Sequence, residues 1–259
     1  MESSATPFSL DDRITLLGSC FADSIGNNML AAGFPALVNP FGTLYNPASL
    51  LSAVRRLDSD SLFGRSDCVQ MGAGAGMVCS FEHHTSFARP TSSAFLDHAN
   101  EALVQARDFW KLSNRVILTL GTSMVWCVSG RAVSNCLKRP SAEFTRRMLD
   151  VEESRNCIQS IIDAHPEKSF LLTVSPIRHM GDGAHANTIS KARLLLAADA
   201  CTGAEYFPAF EILNDELRDY RFYADDLVHP SPAAVEYIWE CFSGALTLPA
   251  ERAAMAENE

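Results

Sequence analysis

The residues in this chain whose types and spacing could perform chemistry begin with a serine close to the start. Ser19 lies in Gly18-Ser19-Cys20, directly between an apolar run and a helical pattern. A serine at such a turn offers its hydroxyl at a helix N-terminus, where free N–H groups and the helix dipole can stabilise a developing oxyanion. The same position also suits a serine that only caps the helix.

An aspartate and a histidine near the other end of the chain could complete the chemistry. Asp226-Leu227-Val228-His229 stands just before Ser231, which precedes another helical pattern. A spacing of three residues lets both side chains converge, so that the carboxylate fixes the imidazole tautomer and the free nitrogen can deprotonate a hydroxyl. The alternative is a solvated acidic loop with a histidine close to a helix start. Together with Ser19, the pair predicts a nucleophile, an orienting acid and a base.

Three rival patterns carry weaker signals. The Cys20 thiol lies beside Ser19, but neighbouring residues of a helix face different ways, and a buried thiol is more common than a reactive one. Residues 121–125 resemble the Gly-x-Ser-x-Gly turn of other hydrolases but lack its second glycine. The glycine-rich run 72–76 precedes a strand-like segment and not a helix, so nucleotide binding is rejected.

The elements that must position these residues alternate between strands and helices. Apolar, β-branched runs at 14–17, 116–120 and 170–174 predict buried parallel strands. Helical patterns are predicted over 22–32, 46–57, 93–112 and 141–164, and a further helix opens at Ser231-Pro232. This alternation predicts a parallel sheet with helices on both faces.

Composition limits the possible functions and the domain organisation. The 259 residues carry 31 acidic and 21 basic side chains, a formal net charge of −10, which argues against a nucleic-acid-binding face. The chain has no linker or repeat, so we expect one domain over 1–259, with a loop-rich excursion around 58–92 and a frayed tail from about 249.

The apolar runs, cysteines and histidines give expectations about the cellular compartment of the protein, the state of its thiols and metal binding. With no apolar run of membrane-spanning length and no signal-peptide pattern, we expect a cytoplasmic protein. The eight cysteines are scattered singly and include no Cys-x-x-Cys, which predicts reduced thiols. The histidines form no His-x-x-x-His pair, so we expect no metal and no cofactor. The sequence gives no indication of the oligomeric state.

Several segments resemble one known family. Gly18-Ser19-Cys20-Phe21-Ala22 is the signature that names the GSCFA family, which is similar to the SGNH/GDSL hydrolase superfamily. The resemblance continues, in order, through residues 39–47, 118–122, 135–136, 175–179, 187–192, 206–209, 215–220 and 225–230. It therefore spans most of the chain, from about residue 14 to residue 242.

The resemblance implies a flavodoxin-like three-layer α/β/α sandwich with a mostly parallel sheet. It also implies serine-dependent chemistry on a small-molecule or carbohydrate acyl ester, in which the acyl group could be acetyl. Ser19 would then be the nucleophile, with Asp226 and His229 as its partners. The acceptor stays open, because water would make the protein an esterase and an alcohol or sugar an O-acyltransferase. A silent binding module that keeps the fold is the remaining alternative.

The resemblance also suggests residues that could bind the oxyanion and the substrate. The superfamily uses the nucleophile's own N–H, a glycine N–H and an asparagine side chain, for which Ser19, Gly42 and Asn135 are the candidates. Ser123 stands where the superfamily has its asparagine, so Ser123 or Thr122 could donate instead of Asn135.

Three further positions belong to the same comparison. Leu137 replaces a histidine that is common in the family, which puts any role of that histidine in doubt here. Arg178 and His179 follow the strand 170–174 and are candidates for substrate binding, with Ser123 as a further one. An arginine paired with a surface acid is an equally good reading of Arg178.

Overall fold

The structure is a computed structural model that describes residues 6–72, 74 and 76–258. Ala73 and Ala75 of the glycine-rich run lie outside the described residues. The strands are β1 (Ile14–Gly18), β2 (Ala36–Val38), β3 (Val69–Gln70), β4 (Val78–Cys79), β5 (Arg115–Leu120), β6 (Met124–Val128), β7 (Arg131–Val133), β8 (Thr145–Met148), β9 (Ser169–Val174) and β10 (Ala204–Tyr206). The helices are α1 (Cys20–Ala31), α2 (Pro47–Asp58), α3 (Ser92–Leu112), α4 (Val151–Ala164), α5 (Ala184–Asp199), α6 (Ala209–Glu211), α7 (Pro232–Leu246) and α8 (Arg252–Asn258).

Five strands form the central parallel sheet, in the order β10-β9-β5-β1-β2. The chain starts at β1 within the sheet, adds β2 at one edge, and then crosses over β1 to add β5, β9 and β10 on the other side. This is the flavodoxin-like order, and its direction reverses between β1 and β5. Ligands of such sheets bind beside the carboxyl ends of the strands at that reversal, which here are Gly18 and Leu120.

Helices cover both faces of the sheet because side chains along each strand alternate between the two faces. On one face Leu118 and Leu172 pack in a core with residues of α2, α3, α4 and α5. On the other face Ile117 and Leu171 pack in a core with residues of α1, α7 and α8. The predicted three-layer α/β/α sandwich is confirmed.

Two expected elements differ from the structure. The predicted helix 141–164 begins only at Val151, after the strand β8, because Asp150 and Glu153 form a capping box there. β8 pairs with β6 in a second, three-stranded sheet that no sequence pattern predicts. The tail is not frayed over residues 252–258: it forms α8, in which Met255 is buried and Asn258 Nδ2 donates to Ala32 O at 3.1 Å.

The excursion at 58–92 contains a short hairpin of β3 and β4 and two single helical turns. No helix among the described residues is long and apolar enough to span a membrane.

Candidate active site

The turn between β1 and α1 is held close to the neighbouring strand β5. A Cβ at Gly18 would lie 2.3 Å from Thr119 O, so only glycine fits there. The next residue donates its N–H to the same carbonyl, Ser19 N to Thr119 O, at 3.3 Å. These contacts fix the start of α1 at the reversal of the sheet.

Ser19 and Cys20 occupy different environments in this turn. Ser19 is the N-cap of α1, its exposed fraction is 0%, and its Oγ accepts the N–H of Phe21 at 3.3 Å. Cys20 is the first helical residue and is partly exposed, and its Sγ lies 3.5 Å from His229 Nε2. The structure therefore differs from the sequence prediction: the thiol, and not the Ser19 hydroxyl, contacts the histidine. The physical reason is that a capping side chain turns back to the helix N–H groups, whereas the following side chain points outward.

The loop before α7 brings the predicted acid and base together. His229 Nδ1 lies 2.6 Å from one carboxylate oxygen of Asp226, and the other oxygen accepts the N–H groups of Val228 and His229 at 2.8 and 2.9 Å. Leu227 takes a left-handed conformation, with φ of 55°, to close this turn. The hydrogen bonds from the His229 backbone, the His229 ring and the Val228 backbone lower the pKa of Asp226 to about 2. Asp226 thus stays ionised and orients the imidazole.

Arg178, which lies in the segment after β9, supports this loop. Its backbone N–H donates to Val228 O and its guanidinium Nη1 donates to Leu227 O, both at 3.1 Å. The guanidinium also lies over the ring of Tyr223. The contacts of Arg178 are thus made to the loop itself, and no acidic residue within the described chain pairs with it. Arg178 therefore anchors the loop of Asp226 and His229, and because it also lines two cavities its role in substrate binding stays a prediction.

Three of the predicted oxyanion donors already have partners, and the first is the Ser19 N–H, which donates to Thr119 O. The Gly42 N–H donates to Asn39 O at 2.7 Å, because Gly42 closes a tight turn at a φ of 73°. Ser123 is fully buried and its hydroxyl donates to Ser190 Oγ, so it also does not face a substrate.

Asn135 and His179 line one cavity of about 190 Å³, together with Tyr45, Thr122, Trp126 and Arg146 among others. Asn135 Oδ1 accepts the Leu137 N–H at 2.7 Å, and its amide nitrogen makes no hydrogen bond to any described residue. Leu137 itself is fully buried in the core, away from this cavity lining. Asn135 therefore has an amide nitrogen available at the cavity, and its role as an oxyanion donor stays a prediction.

His179 lines the cavity and also lies close to Gly121, beside the turn between β1 and α1. Its ring packs edge-on against Tyr45, with centroids 5.4 Å apart, and its Nε2 is buried without a hydrogen-bond partner. This nitrogen lies 3.1 Å from the position that a Cβ of Gly121 would take. Burial and then the charge of Lys191 lower the pKa of His179 to about 4, so the imidazole is neutral at neutral pH.

The thiol of Cys20 is held in its protonated form by its surroundings. Burial raises the pKa of Cys20 and the carboxylates of Asp23 and Asp226 add to this, while the hydrogen bond from the Cys20 backbone N–H and the charge of Lys191 oppose it. Ionisation of the thiol therefore needs a proton acceptor, and His229 Nε2 is in contact with it. Among the described residues no group of three or more histidine, cysteine or acidic side chains could hold a metal ion.

Comparison with known proteins gives the family. The model of the GSCFA family matches residues 13–242. The chain belongs to the GSCFA family. No curated protein matches it by sequence. A solved structure from Streptococcus pneumonia, described as a "putative platelet activating factor", is similar at 13% identity and a TM-score of 0.44, over 91% of this chain and 84% of that one.

In this GSCFA protein each residue of the naming motif has a distinct structural role. Gly18 permits the close approach to β5, Ser19 caps α1, and Cys20 carries the thiol that contacts His229. Phe21 and Ala22 are buried in the core beneath α1. The motif is thus a strand-to-helix turn that partly exposes one side chain, the thiol of Cys20.

Proposed function

We propose that this GSCFA protein is a thiol-dependent acyl-ester hydrolase in which Cys20 is the nucleophile, His229 the general base and Asp226 the orienting acid. The observation that carries the proposal is the pair of contacts made by one imidazole, 3.5 Å from Nε2 to Cys20 Sγ and 2.6 Å from Nδ1 to Asp226. A nucleophile, a base and a third group that orients the base are the parts of covalent acyl transfer.

The reaction then runs in two stages. His229 takes the thiol proton as the sulfur attacks the ester carbonyl, and the tetrahedral oxyanion forms beside the start of α1. When the intermediate collapses, the C–O bond to the alcohol breaks and the alcohol leaves with the proton from His229. A water molecule, deprotonated by His229, next attacks the thioester, releases the carboxylic acid and restores the thiol.

The oxyanion is expected to bind at the N-terminus of α1. The N–H of Cys20 lies at this helix start, and the positive end of the helix dipole favours negative charge at this position. Asn135 is the second proposed donor, because its free amide lines the neighbouring cavity. Loss of one such donor typically slows the reaction by roughly 10²- to 10³-fold.

Trapping of the acyl-enzyme with p-nitrophenyl acetate tests the nucleophile. The tryptic peptide 14–55 contains Cys20 as its only cysteine and also contains Ser19, so fragmentation of that peptide locates the acetyl group. We expect acetylation of Cys20 that neutral hydroxylamine removes, as for a thioester, and no burst of p-nitrophenol from Cys20→Ala.

The matched variant Ser19→Ala should keep the burst. It loses only the helix cap, at about 1 kcal/mol of stability. An acetyl group on Ser19, or a normal burst from Cys20→Ala, would refute the assignment of Cys20. Added alcohols or sugars that divert the acetyl group from water would make the protein an acyltransferase that uses the same thiol.

A further inference from the structure

Asn39 is a buried polar side chain beside the turn that carries Cys20. It directly follows β2, its exposed fraction is 7%, and its backbone takes a left-handed conformation with φ of 44°. Asparagine adopts this conformation more readily than most residues, because its short polar side chain can form local hydrogen bonds. The chain therefore leaves the sheet at Asn39, while the side chain of this residue stays in contact with the end of β1.

The carboxamide of Asn39 continues the hydrogen bonding of β1 where β2 ends. The register of the two strands closes at Leu16 and Val38, and Asn39 N donates to Leu16 O at 2.9 Å. The next N–H of β1, that of Gly18, lies beyond the end of β2 and donates to Asn39 Oδ1 at 2.8 Å. Because a buried N–H without a partner is costly, this bond holds the backbone of Gly18 in place.

The amide nitrogen of Asn39 binds the other side of the same turn. Its Nδ2 donates to Asp23 Oδ1 at 2.6 Å and lies 3.5 Å from Ser19 O. Asp23 is in the first turn of α1, three residues after Cys20. One carboxamide thus joins the chain on both sides of Cys20, whose thiol lies 3.5 Å from His229 Nε2.

We propose that Asn39 is a positioning residue that holds the Cys20 thiol in contact with His229. The proposal rests on Cys20 and His229 acting together as in the proposed function. Thiol and imidazole belong to segments 209 positions apart, so their contact depends on how each backbone is held. Asp226 and Arg178 hold the loop of His229, and Asn39 holds the turn of Cys20. Since a misplacement of about 1 Å can slow a reaction roughly 10²-fold, loss of Asn39 should reduce the reactivity of the thiol.

Asn114 makes the same pair of hydrogen bonds at the opposite end of β1. Its Oδ1 accepts the Arg13 N–H at 2.8 Å, and its Nδ2 donates to Asp12 Oδ1 at 2.6 Å. Both partners precede β1, whereas Asn39 binds the turn that follows this strand. Asn114 is therefore a matched control, with the same chemistry on the same strand but at the end away from Cys20.

Alkylation of Cys20 by iodoacetamide at pH 7.5, followed on the tryptic peptide 14–55, tests the proposal without any substrate. The variants are Asn39→Gly and Asn114→Gly, each made alone and together with His229→Ala, and thermal melts check that all of them fold. Glycine removes the carboxamide and accepts the left-handed backbone at position 39 without strain.

The expected result is a dependence of the Asn39 effect on His229. The thiol reacts as the thiolate, which His229 helps to form, so His229→Ala alone should slow alkylation. Asn39→Gly should slow it by about tenfold or more when His229 is present, and by a much smaller factor in His229→Ala. Asn114→Gly should leave the rate unchanged in both backgrounds.

Two results would overturn the positioning role. One is an Asn39→Gly protein that is alkylated as fast as the wild type. The other is slowing by the same factor with and without His229, because a general disturbance of the turn does not depend on the imidazole. Asn39→Asp is the second variant if glycine is not tolerated, since its carboxylate still accepts the Gly18 N–H but cannot donate to Asp23. It too should slow alkylation by a larger factor when His229 is present, and equal factors would count against the proposal.

These outcomes are distinct from the test of the proposed function. A wild-type protein that forms no acyl-enzyme, while its alkylation depends jointly on Asn39 and His229, would refute the hydrolase function and leave the positioning role. Normal acylation together with alkylation that is independent of Asn39 would refute the positioning role alone.

Discussion

Gly121 directly follows β5 and lies close to Ser19 and to His179, which lines the cavity with Asn135. A methyl group added at Gly121 would therefore press on the turn between β1 and α1 and on this cavity. The Cβ of Gly121→Ala would lie 3.0 Å from Tyr45 O, 3.1 Å from His179 Nε2 and 3.4 Å from Ser19 Cβ. The first two distances are tighter than ordinary contacts, so each neighbour must give by a few tenths of an ångström. The backbone of Gly121 is not in the left-handed region, and alanine therefore adds no conformational strain there.

The contacts of these neighbours decide which of them moves. Tyr45 O accepts the N–H groups of Gly121 and Thr122 at 2.9 and 2.8 Å, so it resists displacement. The His179 ring makes no hydrogen bond through Nε2 and can shift towards the cavity. Overpacking costs about 1–3 kcal/mol, and the loss of glycine entropy in the unfolded chain offsets part of this. We expect a net loss of about 1–2 kcal/mol, or a fall in Tm of roughly 2–8 °C.

The same shift should reduce activity far more than stability. A misplacement of this order at a site of covalent catalysis can slow the reaction about 10²-fold. The assay is the p-nitrophenol burst together with a thermal melt of Gly121→Ala. Gly244→Ala is the matched control, because its added methyl in α7 meets no atom within 4 Å. Wild-type acylation by folded Gly121→Ala would refute the placement of the site beside Gly121.

Two further predictions concern protonation. Asp226→Asn can keep the two backbone hydrogen bonds through its amide oxygen, but it cannot accept the proton of His229 Nδ1. The rate of acylation should therefore fall roughly 10²- to 10⁴-fold with little change in Tm. An unchanged rate would exclude the orienting role of Asp226. His83 is buried among Phe41, Phe63, Phe87 and Phe95, and burial lowers its pKa to about 3. Because the unfolded chain binds a proton below about pH 6.5 and the folded chain does not, stability should fall as the pH drops from 6.5 towards 3, by about 2 kcal/mol at pH 5. Urea unfolding at pH 7 and pH 5 should reveal this loss in the wild type and a smaller one in His83→Gln, and equal losses would contradict it.

The sequence alone predicts much of the fold, because the signals for its main elements are local. Asn46-Pro47 and Ser231-Pro232 mark the starts of α2 and α7, where both caps accept the expected N–H groups. Helix α3 begins at Ser92, one residue before the predicted start. The helical prediction over 141–148 failed because β8 owes its conformation to pairing with β6. A pairing between distant segments of the chain leaves no periodic signal in either one.

The same division between local and distant signals applies to the site. Asp226 and His229 are three residues apart, and a single turn joins them. Ser19 and Cys20 face different ways, as expected for neighbouring residues at a helix start, and it is the Cys20 thiol that contacts His229. The strength of serine as an N-cap was the available signal, since a hydroxyl engaged in capping leaves the next side chain to face the loop.

The sequence by itself thus determined the alternating strands and helices, the family motif and the aspartate–histidine turn, because each depends on residues within a few positions of one another. Only the tertiary structure decided that His229 contacts Cys20, 209 positions away, and not Ser19. Tertiary contacts likewise decided that the Ser123 hydroxyl is occupied by Ser190 and that the buried Lys191 amine bridges the carbonyls of Gly121 and Ser175. The direction of a side chain and the occupancy of a hydrogen-bond donor are fixed by what packs around them, and those neighbours come from distant parts of the chain.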